Sequence, residues 1–424
     1  MENIDYDLRS VQEARDLARK GQIATEKLAT YTEDQIDRII RNMVRVAEEN
    51  AVTLAQMAVE ETGFGKVADK TYKNHMASTL LYDAIKDMKT IGVIHEDPAL
   101  GTMDVADPVG LLMGIVPSTN PTSTAIFKSI IAVKARNAIV FSPHPSAVKC
   151  TARAAELMAQ AAVEAGAPEN TIGCITKTSM PATNELMHCK EVKMIIATGG
   201  PGMVKAAYSA GKPALGVGDG YPLSYEKLTT VLAFYVVKDW HEACDLSIAL
   251  LQNGIGHTMS LHTEDRNIIL EFTRKPASRI LVNTGGSMGG TGGSTGLVPS
   301  FTLGCGTWGG SSTSENVSPL NLINIKKVAF GLKNCATMVA DDPTFNHPEL
   351  GSIPGAFGNT AVNTQRISAS APTACAGNAY LSPEQYQNGG CQTGCKNGAN
   401  IGDEIDAKQL NEIVEMLAKV LRGE

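Results

Sequence analysis

The turn Pro117–Pro121 carries residue types that can bind and polarise a ligand. It reads Pro-Ser-Thr-Asn-Pro and follows a continuously apolar run, Val109–Val116. Such a run is typical of a parallel strand buried on both faces, and ligands bind beyond the carboxyl ends of these strands. The turn lacks the glycines of a G-x-G-x-x-G dinucleotide fingerprint. On spacing alone, an ordinary strand-to-helix connection is therefore an open alternative to a ligand site.

A second turn, Thr198–Gly202, combines a hydroxyl group with three glycines. It ends a predicted strand and begins a predicted helix, so its backbone N–H groups can approach a phosphate closely. Between the two turns, another predicted strand ends at Ser142, and His144 lies in the turn after it. A lone histidine in such a turn is more often a positional residue than a catalyst, and we predict no acid–base role for His144.

Nine cysteines are the candidate nucleophiles. Cys174 lies in an apolar strand pattern and Cys244 in a helical pattern, while Cys150 and Cys189 match no nucleophile context. We interpret these four as inert, buried or partly buried thiols. Cys305 lies in a glycine-rich loop with the sequence LGCGTWGG. The odd number of cysteines, without a secretory signal, indicates reduced thiols rather than a disulfide framework.

Alternating strand and helix patterns between Val109 and Gly218 position these turns. They predict a parallel sheet with right-handed crossovers. The predicted strands are Val109–Val116, Ala138–Ser142, Thr171–Thr176, Val192–Thr198 and Pro213–Val217, and the predicted helices are Thr122–Arg136, Val148–Ala165, Met180–His188 and Gly202–Ser209.

The flanking regions have patterns of their own. Helices are predicted at Ser10–Leu28, at Glu33–Glu61 with Thr32 as its N-cap and Gly63 at its end, and near Thr71–Met88. We interpret them as scaffold. After residue 218, the predicted strands are Leu228–Val237, Gly256–His262 and Arg279–Asn283, with helices at Trp240–Gln252 and Glu264–Arg274.

Length and charge limit the classes of function. The 424 residues suggest two or three domains. The net charge of −7 and the pI near 5.7 argue against nucleic acid or an anionic membrane as a partner. No apolar run approaches membrane-spanning length and the first residues lack a signal-peptide core, so we expect a cytoplasmic protein.

Four long stretches carry a family resemblance. They lie at 114–147, which begins GIVPSTNPTSTAIFK, and at 197–218, 226–258 and 301–329. They closely resemble the CoA-acylating aldehyde dehydrogenases, including the aldehyde dehydrogenase half of bifunctional aldehyde-alcohol dehydrogenases and the propionaldehyde and acetaldehyde dehydrogenases of bacterial microcompartments. The resemblance implies an α/β fold: a doubly wound parallel sheet (Rossmann-like) that binds NAD, with N-terminal helices, at 1–218, and a second α/β catalytic domain at 219–330.

The resemblance also implies roles for particular residues. The side-chain amide of Asn120 is expected to stabilise an oxyanion, and the Glu226 carboxylate to hold the nicotinamide ribose. His257 resembles another family position near the site, with no role assigned. The residues expected to contact NAD are Ile115, Val116, Pro117, Ser118, Thr119, Asn120, Ser142, His144, Gly200, Gly218, Glu226 and Leu303.

The family's catalytic cysteine has no counterpart in this sequence. In the family it follows the strand that ends here at Gly218, but the chain passes directly to Asp219 and on to Val231 without a matching string. Three explanations are open: the segment exists in the molecule but is missing from this sequence, it was deleted naturally or by engineering, or another cysteine serves. Cys305 is a poor substitute, and we name no nucleophile.

The remaining segments are predicted from composition. Between Gly285 and Gly310, eleven of 26 residues are glycine; we expect tight loops against the active site that leave room for the aldehyde or CoA. Residues 331–405 suit an irregular extension, and the spacing of Cys391 and Cys395 predicts no metal site. Residues 406–424 are predicted to form an amphipathic helix, which resembles an encapsulation peptide; the alternative is a helix docked on its own domain.

Together these observations predict an NAD-dependent enzyme that converts a short aldehyde, such as propionaldehyde or acetaldehyde, and CoA into acyl-CoA. The expected assembly is a homodimer or tetramer, in the cytoplasm and inside a microcompartment whose shell binds 406–424. The alternative is a truncated, catalytically inactive NAD-binding relative that is still directed to the microcompartment.

Overall fold

The computed structural model describes residues 5–217, 234–250 and 255–332. The chain divides into two compact units, Met1–Asn346 and His347–Glu424, and every described residue belongs to the first unit. Gly218 and Glu226 lie outside the described residues. So do the predicted helix at 406–424, the cysteines at 391 and 395, and almost all of the predicted extension at 331–405.

The N-terminal region is helical, as predicted, but its second helix is divided in two. The helices are α1 (Tyr6–Leu28), α2 (Glu33–Glu49), α3 (Ala51–Thr62), α4 (Val67–His75) and, after a π-helical turn at Met76–Leu80, α5 (Leu81–Ile85). Thr32 and Gln35 form the capping box that begins α2, and Gly63 ends α3 in the left-handed conformation. The prediction of one helix over Glu33–Glu61 was wrong because the Asn50 side chain bonds to the Val46 carbonyl and ends α2.

A three-stranded antiparallel sheet follows α5, and the sequence patterns did not predict it. It is formed by β1 (Gly92–Asp97), β2 (Thr102–Pro108) and a strand from much later in the chain, β10 (Ile323–Ala329), in the order β1–β2–β10. The strand β10 lies within the predicted second domain but pairs with β2. This sheet therefore joins segments that the boundary at 218 would separate.

The central sheet has five parallel strands in the order β5–β4–β3–β6–β7. Its strands and helices agree with the predicted alternation to within a few residues. They are β3 (Leu111–Val116), α6 (Pro121–Lys134), β4 (Ile139–Pro143), α7 (Val148–Glu164), β5 (Ile172–Cys174), α8 (Met180–His188), β6 (Val192–Thr198), α9 (Pro201–Tyr208) and β7 (Ala214–Val217).

Alternate side chains of β3 enter different cores. Leu112 and Val116 pack in the core that contains α2, α6 and α7, while Leu111 and Met113 pack in the core that contains α1 and α8. Every residue of β3 is buried. Helices cover both faces of the sheet, which confirms the predicted doubly wound α/β architecture.

Beyond residue 233 the chain forms a smaller α/β region. Its elements are α10 (Trp240–Leu250), β8 (Gly256–Leu261), α11 (Arg266–Phe272), β9 (Ala277–Val282) and α12 (Gly286–Gly290), and β8 and β9 pair in parallel. The predicted strand at Leu228–Val237 was wrong for the part that the structure describes, residues 234–237. Phe234–Val237 form no strand, and the side chains of Phe234 and Val236 are 88% and 87% exposed, so they lack the packing that a strand needs.

Among the described residues, no helix combines the length and the apolar composition needed to cross a membrane.

The glycine-rich segment is closely packed by the protein itself. A Cβ atom at Gly304 would lie 2.1 Å from the carbonyl oxygen of Thr313, and one at Gly309 would lie 2.4 Å from the Cβ of Cys305. At Gly285 a Cβ would meet nothing within 4 Å. At Gly304 and Gly309 the missing side chain lets the backbone approach neighbouring atoms closely. At these two positions it leaves no open space for an aldehyde or CoA.

We predict that Gly304→Ala lowers the free energy of unfolding by about 3 kcal/mol, because the new methyl group must displace backbone. The matched control is Gly285→Ala, which adds the same methyl group in open space at a negative φ and should change stability by less than about 0.5 kcal/mol. Denaturant unfolding of the two variants measures the difference. Equal stabilities would contradict the packing described here.

Candidate cofactor and active site

A cleft opens at the carboxyl end of the central sheet. Strands β4 and β5 lie on one side of β3, and β6 and β7 lie on its other side. The order of strands therefore reverses between β3 and β6. Open α/β sheets bind ligands at this switch point. The cavity has a volume of about 130 Å³ and is lined by Ile115–Pro117, Ser142–Pro145, Thr178–Met180, Thr183, Thr198–Gly200 and Met203.

Six of the residues predicted to contact the cofactor line this cavity: Ile115, Val116, Pro117, Ser142, His144 and Gly200. Ser118, Thr119 and Asn120 continue the same turn but do not line it. Leu303 instead forms an isolated β-bridge with Asn316. The cofactor-binding roles of these residues stay predictions.

The sequence analysis missed the wall formed by Thr178–Met180 and Thr183. These residues follow β5, whose carboxyl end lies at the same edge of the sheet as those of β3 and β4. That shared edge was the signal that could have found them. Ser142 Oγ and Thr183 Oγ1, 3.0 Å apart, link this wall to β4.

Side chains of helix α1 form hydrogen bonds with this wall on the side away from the cavity. The Glu13 carboxylate accepts hydrogen bonds from the backbone N–H of Thr176 at 3.2 Å and of Lys177 at 2.8 Å. Ser10 Oγ lies 2.6 Å from Ser179 Oγ, which also caps α8 by accepting from the Ala182 N–H. An element interpreted as scaffold therefore shapes one side of the cleft.

The Thr198–Gly202 turn leaves space beside its backbone. A Cβ atom at Gly199, Gly200 or Gly202 would meet no heavy atom within 4 Å. Packing within the described residues does not require glycine there. Since the turn begins α9 at the cleft, this space suits a phosphate group, such as one of a dinucleotide pyrophosphate, that approaches backbone N–H groups.

His144 has a local structural role. Its side-chain Nδ1 accepts a hydrogen bond from the backbone N–H of Ser146, and the backbone N–H of His144 donates to the Val116 carbonyl at 3.0 Å. These bonds shape the turn after β4. They agree with the prediction that His144 is positional rather than an acid or base.

Two lysines that the sequence analysis did not single out contact the Pro117–Pro121 turn. Lys70 Nζ donates to the Thr119 carbonyl at 2.8 Å, and Lys73 Nζ donates to Asn120 Oδ1 at 2.8 Å. Burial lowers the pKa of both amines, and for Lys70 the neighbouring Lys73 charge lowers it further. Both side chains come from α4.

A third lysine joins the strands beneath the cleft. Lys128 is fully buried in α6, and its Nζ donates to the carbonyl of Ile115 at 2.6 Å and of Ile196 at 2.9 Å. Burial lowers the pKa of this amine well below its usual value. The amine thereby links the ends of β3 and β6.

His257 and Arg279 share a hydrogen-bond partner in the smaller region. Thr258 Oγ1 lies 2.8 Å from His257 Nδ1 and accepts from Arg279 Nε at 3.1 Å. Burial, and then the Arg279 charge, lowers the pKa of His257 to about 4. The imidazole is therefore neutral at neutral pH.

The four cysteines predicted to be inert are poor thiolates in this structure. Burial and the neighbouring Glu61 carboxylate raise the pKa of Cys150 to about 12. Burial is the first cause of the raised pKa of Cys174, Cys189 and Cys244 as well. A protonated thiol is a weak nucleophile, so these values agree with the prediction. Cys305 is also buried.

The chain resembles known proteins over most of its length. The model of the aldehyde dehydrogenase family matches residues 4–215. The bifunctional aldehyde-alcohol dehydrogenase AdhE of Escherichia coli is 36% identical over an alignment 446 residues long, which includes 77% of this chain and 50% of the relative. The chain thus spans about half the length of the curated relatives it first matches. The alignment is longer than the part of this chain that it includes, so AdhE has many residues in the aligned region that this chain lacks.

Solved structures show the same likeness. The acetylating aldehyde dehydrogenase from Geobacillus thermoglucosidasius is 40% identical, with a TM-score of 0.76, over 78% of this chain and 99% of that one. A propionaldehyde dehydrogenase from the fucose utilisation microcompartment of Clostridium phytofermentans has a TM-score of 0.65 at 19% identity, over 76% of this chain and 98% of that one. At this identity the second likeness concerns the fold alone.

We predict that acid weakens the fold through His257. The unfolded chain takes up a proton near pH 6.5, whereas folded His257 resists protonation until about pH 4. The unfolded state therefore binds more protons in this window, and stability falls as the pH is lowered through it, by about 3 kcal/mol in all.

Denaturant unfolding of the wild type and His257→Gln at pH 8, 6 and 4 tests this. At pH 8, His257 is neutral in both the folded and the unfolded protein. The difference in stability between the wild type and the variant at pH 8 therefore measures only the change in packing. The variant should lose less stability than the wild type between pH 8 and pH 4. Parallel pH profiles for the two proteins would refute the prediction.

Proposed function

Because this chain belongs to the acetylating, CoA-acylating branch of the aldehyde dehydrogenase family, we propose that the working protein oxidises a short aldehyde to acyl-CoA with NAD and CoA, and that it does so with a segment that this sequence lacks after Gly218. The observation that carries the proposal is the cleft at the switch point of the sheet, with the Pro117–Pro121 turn at its edge. The space beside Gly199 and Gly200 supports a dinucleotide pyrophosphate there.

In this proposal the protein positions the reactants. NAD, when bound, accepts the hydride. Ile115–Pro117 and Ser142 line its cleft, and the Glu226 carboxylate is the proposed partner of the ribose hydroxyls. A cysteine thiolate forms a bond to the aldehyde carbon, and the side-chain amide of Asn120 donates a hydrogen bond to the oxygen that becomes negative. After hydride loss, the CoA thiolate attacks the resulting thioester and releases the cysteine.

The nucleophilic cysteine in this mechanism is proposed to lie in a segment that the working protein contains after Gly218. This sequence lacks that segment. Two observations support this part of the proposal. The raised pKa values of Cys150, Cys174, Cys189 and Cys244 make each of them a poor substitute. The relative AdhE also has many more residues in the matched region. The alternative function, an NAD-binding but catalytically inactive relative, follows if the segment is absent from the working protein.

The proposed aldehyde is small, with propionaldehyde and acetaldehyde as candidates. Support comes from the names of relatives: an acetylating aldehyde dehydrogenase at 40% identity and, by fold alone, a propionaldehyde dehydrogenase. We also propose a microcompartment location, in which residues 406–424 bind the shell. The amphipathic pattern of that segment and the microcompartment origin of the second relative support this location.

The proposed assembly is a homodimer or tetramer that pairs through the antiparallel sheet. Apolar side chains on and next to this sheet are exposed, including Val93 (48%), Ile325 (51%) and Phe330 (57%). An exposed apolar group of this kind is typical of a protein interface, and β1 and β10 each have a free edge within the described residues.

The first experiment compares the 424-residue chain with a chimera that carries the additional AdhE residues inserted after Gly218. We expect the chain to bind NAD without forming NADH. The chimera should form NADH from propionaldehyde only with CoA, and iodoacetamide should abolish the reaction. Alkylation-sensitive turnover by the unmodified chain would show that another cysteine serves. A folded, NAD-binding chimera without turnover on short aldehydes would contradict the proposed activity.

A second experiment tests the cofactor cleft without turnover. Glu13→Ala frees the Thr176–Ser179 backbone behind the cleft, so we expect the Kd for NAD to rise about tenfold, equivalent to ~1.4 kcal/mol. The control is Asp16→Ala, which removes an exposed carboxylate from the same helix. Titration calorimetry gives both constants. Equal affinities in the two variants would show that α1 does not support the binding wall.

A further inference from the structure

We propose that Lys73 is a positioning residue that orients the side-chain amide of Asn120, so that its NH₂ group faces the substrate oxygen. The inference rests on the proposed function for the identity of that oxygen. The contact itself does not depend on it, since Lys73 Nζ lies 2.8 Å from Asn120 Oδ1 in the protein alone.

The chemistry of lysine settles which way the amide points. An ammonium group has three donors and no acceptor, so only the oxygen of an asparagine side chain can face it. Asn120 is the N-cap residue of α6, yet its side chain makes no capping hydrogen bond. The oxygen is therefore taken by Lys73, and the Nδ2 group is left to donate elsewhere.

Helix α4 holds the turn at three neighbouring points. Lys70 Nζ binds the Thr119 carbonyl, Lys73 Nζ binds Asn120, and Asn74 Oδ1 accepts from Thr122 Oγ1 at 2.9 Å. Residues three and four positions apart share one face of a helix. Asn74 is anchored in turn, because its Nδ2 donates to the Ala51 carbonyl at 2.8 Å. The face of α4 therefore determines both the path of the turn and the orientation of its amide.

The electrostatics favour the same role. Lys70 and Lys73 form no salt bridge with any carboxylate of the described residues. Burial lowers the pKa of Lys73, and the Asp69 charge opposes this shift by favouring the protonated amine. The positive charge of both lysines lies beside the amino terminus of α6, where the helix dipole is also positive. Negative charge that develops on an oxygen bonded to Asn120 Nδ2 would be stabilised by both.

The test uses Lys73→Met, which removes the donor, and Lys73→Arg, which retains it. The control is Lys66→Met, which removes an exposed lysine at the start of the same helix. The first readout needs no turnover: the side-chain amide resonance of Asn120 in ¹⁵N spectra, identified by its loss in Asn120→Asp. We expect one sharp pair of signals in the wild type, its broadening in Lys73→Met, its return in Lys73→Arg and no change in Lys66→Met.

The second readout is kinetic and uses the form that turns over. In Lys73→Met, kcat for CoA-dependent NADH formation should fall about 10- to 100-fold, while the KM for NAD stays within about twofold. Lys73→Arg should recover most of kcat. If Lys73→Met does not fold, as judged by circular dichroism, Lys73→Gln takes its place in both measurements.

The two proposals fail in different ways. Absence of turnover in the wild type and in the chimera contradicts the proposed function, and the resonance of Asn120 still decides the role of Lys73. An unchanged Asn120 resonance in Lys73→Met, or a KM for NAD that rises as much as kcat falls, would overturn the positioning role. The latter result would indicate a general structural effect.

Discussion

The buried amine of Lys128 is the constraint on which the ligand end of the sheet depends. The side chain is fully enclosed, so its polar partners must come from within the protein. The carbonyl groups of Ile115 and Ile196 supply them at the ends of neighbouring strands. One side chain thus joins β3 to β6 where the cleft opens. Because Lys128 belongs to α6, the same contact fixes the helix that begins at the Pro117–Pro121 turn.

The N-terminal helices complete the site from outside the sheet. Helix α1 supports the wall at Thr176–Ser179 through Glu13, and α4 holds the turn at Thr119–Thr122 through two lysines and an asparagine. Helix α1 also contributes to stability, because it buries apolar side chains such as Ala14, Ala18 and Leu28. The buried side chains of α4 are polar, Lys70 and Asn74. Both helices orient groups at the cleft through hydrogen bonds from their polar residues.

Close packing has different consequences in different parts of the chain. Around Gly304 and Gly309 it brings backbone within reach of backbone, so the glycine-rich segment is a compact structure rather than a flexible linker. Around Cys150 and Cys174 it removes water from the thiols and favours their protonated form. The burial that stabilises the fold thus makes these cysteines unsuitable as nucleophiles, which is consistent with a catalytic thiol supplied by another segment.

The sequence by itself determined the elements whose physical causes are local. A strand buried on both faces must be apolar throughout, so β3 could be predicted, and Thr32 and Gln35 cap α2 within one helical turn. The sheet β1–β2–β10 could not be predicted, because β10 pairs with residues more than two hundred positions earlier. Lys73 and Asn120, too, meet only because α4 packs beside the start of α6. Local patterns specify helices, strands and caps, whereas the direction in which helices pack decides which distant polar groups meet, and only the tertiary structure contains that information.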